Sequence, residues 1–561
     1  MTDTNLSHLK PFDPERCLGV ISHVSTASVD ITFDGSREVA GKQLATKVGD
    51  YIVVESGKFA IVGQVLDIRL PERGDAGNNN YQVASVNLLT TLETDTGRVS
   101  PGVLSRPRPG DRAYLAQSIL IQQIAEARNS FIGVKEDVTL AFARLVDSAN
   151  TPLEFSPEMM VGRHCAILGT TGAGKSWSVA RLVEQCARHR SKVIVFDATG
   201  EFGSLGGPVL HVYLGNHPNP SQDMRQVVLP YSQLTENDLF AIFKPSGQSQ
   251  GPKLRQAIKT LKLLKLAPSL GLDGTVIKAN KSKENFEAEY ARHIDSIEDP
   301  KADFDASKLV RQIQAECVFP TRSAFEPQYW GDINGAEHSQ VIPMVNRISD
   351  IIQSTNLAPI FDPQDKPSLL QVIDRFLEHP SIRVLCISLQ YLSFAHNARE
   401  IVANATGRYL MQLAREERFK EQPLVTLVDE AHQFLNTNLE ENAGGYPLDS
   451  FAIIAKEGRK YSLNICIATQ RPRDIPESVL SQMGTLVVHR LINDRDRSVV
   501  ERASGSMDRS SLSTLPALAP GQAIILGVDF PVPVLARIER PVNPPRSEGP
   551  NYQKCWKATE G

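Results

Sequence analysis

The chain has no long apolar run. Nothing in its 561 residues approaches the length of a membrane span, and the opening stretch MTDTNLSHLKPFDPERC lacks the apolar centre of a signal peptide. The expectation is therefore a cytoplasmic protein without a membrane. Cysteine is sparse: its seven copies, at 17, 165, 186, 317, 386, 466 and 555, form no C-x-x-C pair, which argues against a zinc site and a disulfide framework. Cys165, Cys386 and Cys466 fall inside apolar strand-like runs and read as packing residues. Positive charge is not in surplus either. With 60 Lys and Arg against 64 Asp and Glu, the net charge is −4, so a surface uniformly attractive to phosphate is excluded. A nucleic-acid surface would have to be local, as in a ring with a basic lumen and an acidic exterior. What remains is ordinary globular composition, 41% hydrophobic and 22% charged, in a chain long enough for about two to four domains.

Against this background one segment carries chemistry. Gly169-Thr170-Thr171-Gly172-Ala173-Gly174-Lys175-Ser176 follows a short apolar strand pattern, Cys165-Ala-Ile-Leu168, and opens a helical stretch beginning Trp177. This is the spacing of a P-loop for a nucleoside triphosphate. Glycines let the backbone curl so that successive N–H groups face phosphate oxygens, and the helix N-terminus adds its partial positive charge. Lys175 is placed to reach the β and γ phosphates and the Ser176 hydroxyl to ligate Mg²⁺. ATP and Mg²⁺ are the expected cofactors, with residues 169–177 as their binding run.

The rest of the chain divides around this loop. Over 1–110 the text is β-branched and alternating (Val29-x-Ile31-x-Phe33, Tyr51-Ile-Val-Val54, Ala60-Ile-Val62, Val83-x-x-Val86), broken by Asp34-Gly35, Ser56-Gly57 and the Gly74–Asn80 loop. Short strands at close spacing predict a small antiparallel barrel, ended by Pro107-Arg-Pro-Gly-Asp111. A connector fills 111–160. The first part of an α/β core spans 161–232 and holds Lys192-Val-Ile-Val-Phe196, a buried parallel-type strand ending in Asp197-Ala-Thr-Gly-Glu201-Phe202. Lys175 and the acidic strand end at Asp429 are too far apart for a plain nucleotide-binding core, which predicts a helical insertion over 233–380. In it, Leu254, Ile258, Leu261 and Leu264 share a helical face while Arg255, Lys259 and Lys262 lie elsewhere. This pattern reads as a core helix with a solvated face, with a basic nucleic-acid helix as the alternative. The core resumes over 381–510 with Val384-Leu-Cys-Ile387, Leu424-Val-Thr-Leu-Val428, Leu463-x-Ile-Cys-Ile-Ala-Thr469 and Thr485-Leu-Val-Val488, and residues 511–561 return to strands (Ala523–Leu526, Val532–Leu535) and a proline-rich tail.

The strand Leu424–Val428 ends in Asp429-Glu430. Adjacent carboxylates at one strand tip suit the second half of an ATPase site, with Asp429 orienting the Mg²⁺ shell and Glu430 polarising the attacking water. The letters Asp429-Glu-Ala-His432 invite comparison with DEAH-box RNA helicases, but those place the motif nearer the P-loop and add a second recombinase-like domain that is not seen downstream. His432 reads instead as a packing or supporting residue on the following helix. No L-S-G-G-Q signature is present, so a transporter-type ATPase is unsupported. Gln470, at the strand tip in Ala468-Thr-Gln-Arg-Pro472, is placed to sense the γ phosphate or to position water. Arg459 in Glu457-Gly-Arg-Lys460 is a candidate arginine finger or a helix cap on spacing alone.

Taken in order, these motifs resemble the HerA branch of the HerA/FtsK superfamily of ring-forming DNA translocases. The resemblance rests on the barrel, the P-loop, the D-x-x-G-E-[FY] segment, the DEAH-like Walker B, E-G-R-K, A-T-Q-R-P, Asn493-x-x-Asp496 and the C-terminal strands. It implies an α/β fold with a RecA-like P-loop motor core, a small N-terminal barrel of the HAS type, a helical insertion and a C-terminal strand brace. It also implies a homo-hexamer with ATP sites between subunits and double-stranded DNA in a central channel. Carried over by motif, Lys175 and Ser176 bind phosphate and Mg²⁺, Asp197 and Glu201 form a second acidic group, Asp429 and Glu430 are Walker B, Arg459 acts in trans, and Arg163 matches another functional arginine. Ala198-Thr199 and Ala173 depart from the commoner residues of the family. The family implies a partner docked on the barrel, either a NurA-like nuclease in DNA end processing or a sirtuin-like or nuclease effector in antiphage defence. The reading is an ATP-driven DNA translocase or helicase. Its rivals are an ATPase ring that scaffolds and switches an effector with little unwinding, and a VirB4-like secretion or conjugation motor.

Overall fold

The computed structural model describes residues 10–36, 38–39, 42–43, 46–70, 81–126, 138–146, 150–300, 302–436, 445–504, 513–547, 549 and 551–556. Two compact units divide the chain, one formed by 1–190, 464–473 and 477–549, the other by 191–463, 474–476 and 550–561.

In the first unit, alternation of apolar and polar residues closes six antiparallel strands into a barrel. Around it run Ser28–Asp34, Cys17–Val24, Arg112–Leu115, Tyr51–Ser56, Phe59–Arg69 and Tyr81–Glu93, which pairs back onto Ser28–Asp34; Val99–Pro101 is appended at one side. The inward residues Ile21, Val29, Ile31, Phe33, Ile52, Val54, Ile61 and Val86 form its core. Gly63 sits at a bulge between Phe59–Arg69 and Tyr81–Glu93, where a Cβ would lie 2.5 Å from the Asn87 carbonyl oxygen, so the strand turns the corner at a residue without a side chain. The barrel does not stop at Asp111. The Asp111 carboxylate accepts from the Arg108 N–H at 2.7 Å and Gly110 takes φ 94°. This turn returns the chain so that Arg112–Leu115 fills the gap between Cys17–Val24 and Tyr51–Ser56. Four residues are too few to announce a strand by pattern.

The same unit carries a sheet in the order Pro152–Phe155, Leu140–Leu145, Val534–Ile538, Gln522–Gly527, Thr485–Val488, Cys165–Leu168, Leu463–Thr469. Cys165–Leu168 pairs in parallel on both sides and is buried throughout, which is why it reads as an unbroken apolar run. The last strand starts at Val534, two residues later than its apolar pattern, because Pro533 has no N–H for the ladder. Its carbonyl instead accepts from the Tyr51 hydroxyl at 2.5 Å.

In the second unit, five parallel strands run in the order Leu424–Val428, Lys192–Asp197, Val384–Ser388, Val209–Tyr213, Met224–Gln226. Their carboxyl ends share one edge. Helices Glu236–Phe243, Gly247–Leu266, Leu309–Ala315, Gly335–Gln353 and Leu369–Glu378 lie in the same unit. In Gly247–Leu266, Leu254, Ile258 and Leu261 are buried and Leu264 is half-buried. The cations of this helix are matched within the unit. Arg255 meets Glu236 at 2.6 Å, Lys253 meets Glu337 at 2.8 Å, Lys259 pairs with Glu298 and Lys265 with Asp303, and Lys262 donates to the Asp299 carbonyl at 2.9 Å. With its apolar face buried, this is a core helix, and a phosphate backbone would have to compete with these partners for its cations.

Candidate nucleotide site

Each unit holds one set of the chemistry-bearing residues. In the first, the strand Cys165–Leu168 delivers the chain into the loop and the helix Lys175–Ala187 takes it out. Gly172 and Gly174 adopt φ 75° and 115°, a left-handed pair that only glycine enters without cost. The loop rests on distant parts of the chain. The Gly169 N–H donates to the Thr469 carbonyl at 3.3 Å, Thr170 to Arg490 at 3.0 Å, and Gly521 to Ala173 at 2.9 Å. Lys175 is the first residue of the helix and is buried. The Thr171 hydroxyl donates to Gln470 Oε1 at 2.5 Å, so the structure joins Gln470 to the loop.

Beneath the loop lies a residue that the motifs did not flag. His489, just beyond the strand Thr485–Val488, is fully buried. One ring nitrogen is 2.7 Å from the Ser178 hydroxyl and the other 2.9 Å from the Gln522 carbonyl oxygen. A Cβ on Gly169 would fall 2.6 Å from His489 Cβ, and one on Gly174 3.3 Å from its Cε1. The loop therefore needs glycine both for its torsions and for this close approach. Burial, with the Lys175 charge adding to it, pushes the imidazole down to about 4, against the hydrogen bond to Gln522, so it stands neutral under the lysine. The available signal was a histidine closing an otherwise apolar strand.

Arg163 is at the amino end of Cys165–Leu168, the end opposite the loop, and pairs there with Asp529 at 2.8 Å. Asn493 caps the helix Asp494–Ala503 by accepting from the Arg495 N–H at 2.9 Å, and Asp496 is buried.

In the second unit, the carboxyl edge of the five strands gathers the acids. Asp197 is buried and its carboxylate accepts three backbone N–H groups, from Gly200 at 2.7 Å, Glu201 at 3.1 Å and Phe202 at 3.0 Å. It thereby winds the Asp197–Phe202 loop around itself. Gly200 has φ 83°, and a Cβ there would lie 2.0 Å from Gln390 Oε1. Burial and then the charge of Asp429 raise the Asp197 carboxyl to about 7, against the three backbone donors. Asp429 is fully buried at the tip of Leu424–Val428. Glu430 is nearly so, in a left-handed conformation (φ 45°, ψ 46°), with His432 Nδ1 3.2 Å from its Oε2. A glutamate held at positive φ marks a position that its surroundings over-determine. Arg459 lies in the 3₁₀ turn Gly458–Tyr461, exposed, its guanidinium without a hydrogen bond or ion pair among the described residues. That turn is at the other end of the strands: the Ser462 N–H bonds to the Arg459 carbonyl, and the Ser462 carbonyl accepts from the N–H of Leu424. The five-residue strand between Leu424 and the acidic pair spans about 15 Å.

The two sets fit the expected groups. A glycine-curled loop ahead of a helix with a buried lysine suits the phosphates of a nucleotide. The serine hydroxyl of the one set and the buried carboxylates of the other are oxygen donors of the kind a hard divalent cation takes.

A loop of this form between a buried parallel strand and a helix defines a P-loop nucleoside triphosphatase. Residues 140–321 match the family model described as Helicase HerA, central domain. A probable helicase of Methanocaldococcus jannaschii is 24% identical, over 82% of this chain and 80% of its own length. The DNA double-strand break repair helicase HerA of Pyrococcus furiosus is 24% identical, over 84% of this chain and 80% of its own. Among solved structures, VirB4 of Thermoanaerobacter pseudethanolicus aligns with a TM-score of 0.41 and 14% identity, over 73% of this chain and 98% of that one. Over most of its length the chain is similar to helicases of the HerA type.

Proposed function

We propose that this protein is an ATP-driven DNA translocase or helicase that works as a ring, with each active site completed by a neighbouring copy. The observation that carries the reading is the P-loop, built as a nucleotide cradle inside a chain matched to the HerA central domain. The helicase relatives support DNA as the substrate. Lys175 and the loop N–H groups hold the phosphates, Ser176 and Asp429 hold Mg²⁺, and Asp197 and Glu201 order the acidic edge. The bound Mg²⁺ supplies charge neutralisation on the phosphates. Glu430, held by its backbone conformation with His432 beside it, orients and polarises the attacking water, and Gln470 reads the γ phosphate through Thr171. Arg459 serves a neighbour's site: its guanidinium is exposed, and it stands a strand's length from its own Glu430. Arg163, at the far end of the P-loop strand, can likewise act only from outside its own loop.

The N-terminal barrel is the docking surface for a partner enzyme, a nuclease or a defence effector, and a hexamer threading duplex DNA is the assembly that this division of the site favours. The test is ATP hydrolysis with and without duplex DNA, followed by strand displacement. Stimulation by duplex with strand separation is the expected result. Hydrolysis that ignores DNA would instead favour an ATPase ring that switches an effector.

A further inference from the structure

The helix after the P-loop presents Trp177, Arg181 and Glu184 at i, i+4 and i+7, one face of the helix. Arg181 turns inward and donates to the Ala141 carbonyl at 2.9 Å through Nε. Trp177 and Glu184 meet the segment that follows the last strand. Glu184 accepts from the backbone N–H of Val542 at 2.9 Å and of Asn543 at 2.7 Å, and from Asn543 Nδ2 at 3.2 Å. Upstream in the same segment, Glu539 pairs with Arg144. Between these two anchors Arg540 lies over the indole of Trp177, its guanidinium carbon 5.4 Å from the ring centroid. Arg540 is exposed and Trp177 half-buried.

A segment pinned on both sides of one arginine holds that guanidinium over a tryptophan immediately after Ser176. Phosphates held on the loop N–H groups leave the ribose and base to extend past the first turn of the helix, where Trp177 stands. We propose that Trp177 and Arg540 form the surface that receives the nucleobase, so that the C-terminal segment is part of the nucleotide site. This rests on the nucleotide reading above. Stacking on an indole and a guanidinium recognises a π face and not a hydrogen-bonding edge, and the one amide of the segment, Asn543, is committed to Glu184. The ligand class is therefore a purine nucleoside triphosphate, with adenine and guanine accepted nearly alike and pyrimidines held more weakly.

The experiment is calorimetric titration of the full chain with ATP, GTP, CTP and inorganic tripolyphosphate in the presence of Mg²⁺. The expected pattern for Trp177→Ala is about ten-fold weaker ATP and GTP binding with tripolyphosphate unchanged. Arg540→Ala, at an exposed position, should act in the same direction, and Trp177→Phe should restore most of the affinity. Tripolyphosphate weakened as much as ATP by Trp177→Ala would overturn the proposal, because the indole would then act only by shaping the loop. ATP binding unmoved by Trp177→Ala and Arg540→Ala would overturn it equally. A wild-type chain that binds neither ATP nor tripolyphosphate would remove the nucleotide reading and this inference with it, whereas one that binds both with the same affinity would remove the base surface alone.

Discussion

Replacing His489 by alanine tests whether the P-loop depends on what lies under it. The change removes two buried hydrogen bonds, to the Ser178 hydroxyl and the Gln522 carbonyl, at ~1 kcal/mol each. It also empties the space that the imidazole ring fills beneath Gly174, for a further ~1–2 kcal/mol. The expected loss is about 3–4 kcal/mol at neutral pH. The pH dependence is sharper still. Unfolded, the histidine takes a proton near 6.5; folded, burial holds protonation off until about 4. Between those values the unfolded chain binds more protons, so this contribution to stability is complete above 6.5 and is lost as pH falls towards 4, by about 3 kcal/mol. Alanine has no such term in its balance with the solvent. The gap between wild type and variant should therefore shrink from about 3–4 kcal/mol at pH 7.5 to about 1 kcal/mol at pH 4.5. Of the three tryptophans, Trp177 belongs to the same unit as the P-loop, so urea unfolding is followed by its fluorescence with Trp330→Phe and Trp556→Phe in the background. A gap that stays constant across this range would refute the buried neutral imidazole. No gap at pH 7.5 would refute its support of the loop.

Lys175→Ala should abolish ATP turnover while leaving the urea midpoint within about 1 kcal/mol of wild type, and Glu430→Gln should retain bound ATP without hydrolysing it; a glutamine variant that turns over normally means Glu430 does not orient the water. Arg459→Ala should slow turnover with nucleotide affinity intact, and mixing it with Glu430→Gln subunits should restore part of the activity, since some interfaces then pair an intact glutamate with an intact arginine. No recovery in rings shown to be mixed removes the trans role. Gly200→Ala should destabilise the second unit by about 2–4 kcal/mol, because its Cβ collides with the Gln390 side chain and its φ is positive; thermal unfolding that is unchanged would show that the Asp197 loop can relax.

What could be read from the sequence follows from which residues must be apolar on both faces. Cys165–Leu168, Lys192–Asp197, Val384–Ser388, Leu424–Val428 and Leu463–Thr469 are buried from end to end apart from half-buried Val425, so the α/β class and the strand tips with their acids stand out as unbroken runs. The barrel was visible through its alternation. Its closing strand was not, because Arg112–Leu115 is short and is defined by its neighbours rather than by its own letters. The strands Val209–Tyr213 and Met224–Gln226 escape for a related reason: the second is the edge of the second unit's sheet and the first lies next to it, both are partly exposed, and they carry His, Tyr, Arg and Gln among their residues.

The P-loop shows the same division within one site. Its glycines announce the loop because left-handed torsions restrict the residue type locally, but the groups that hold the loop in place come from Thr469, Arg490, His489 and Gly521, and contact between distant residues leaves no periodic trace. Gly169 and Gly174 mark where the two kinds of information meet. Gly174 is required by its φ of 115° and again by the nearness of Gly521, at 3.1 Å, and His489. Gly169 has no positive φ and is required only by the His489 side chain pressed against it. A substitution at Gly169 should thus be tolerated better in a His489→Gly background, which removes the Cβ it would meet at 2.6 Å, than alone, whereas Gly174 should gain little, since its torsional demand survives the removal of its neighbour.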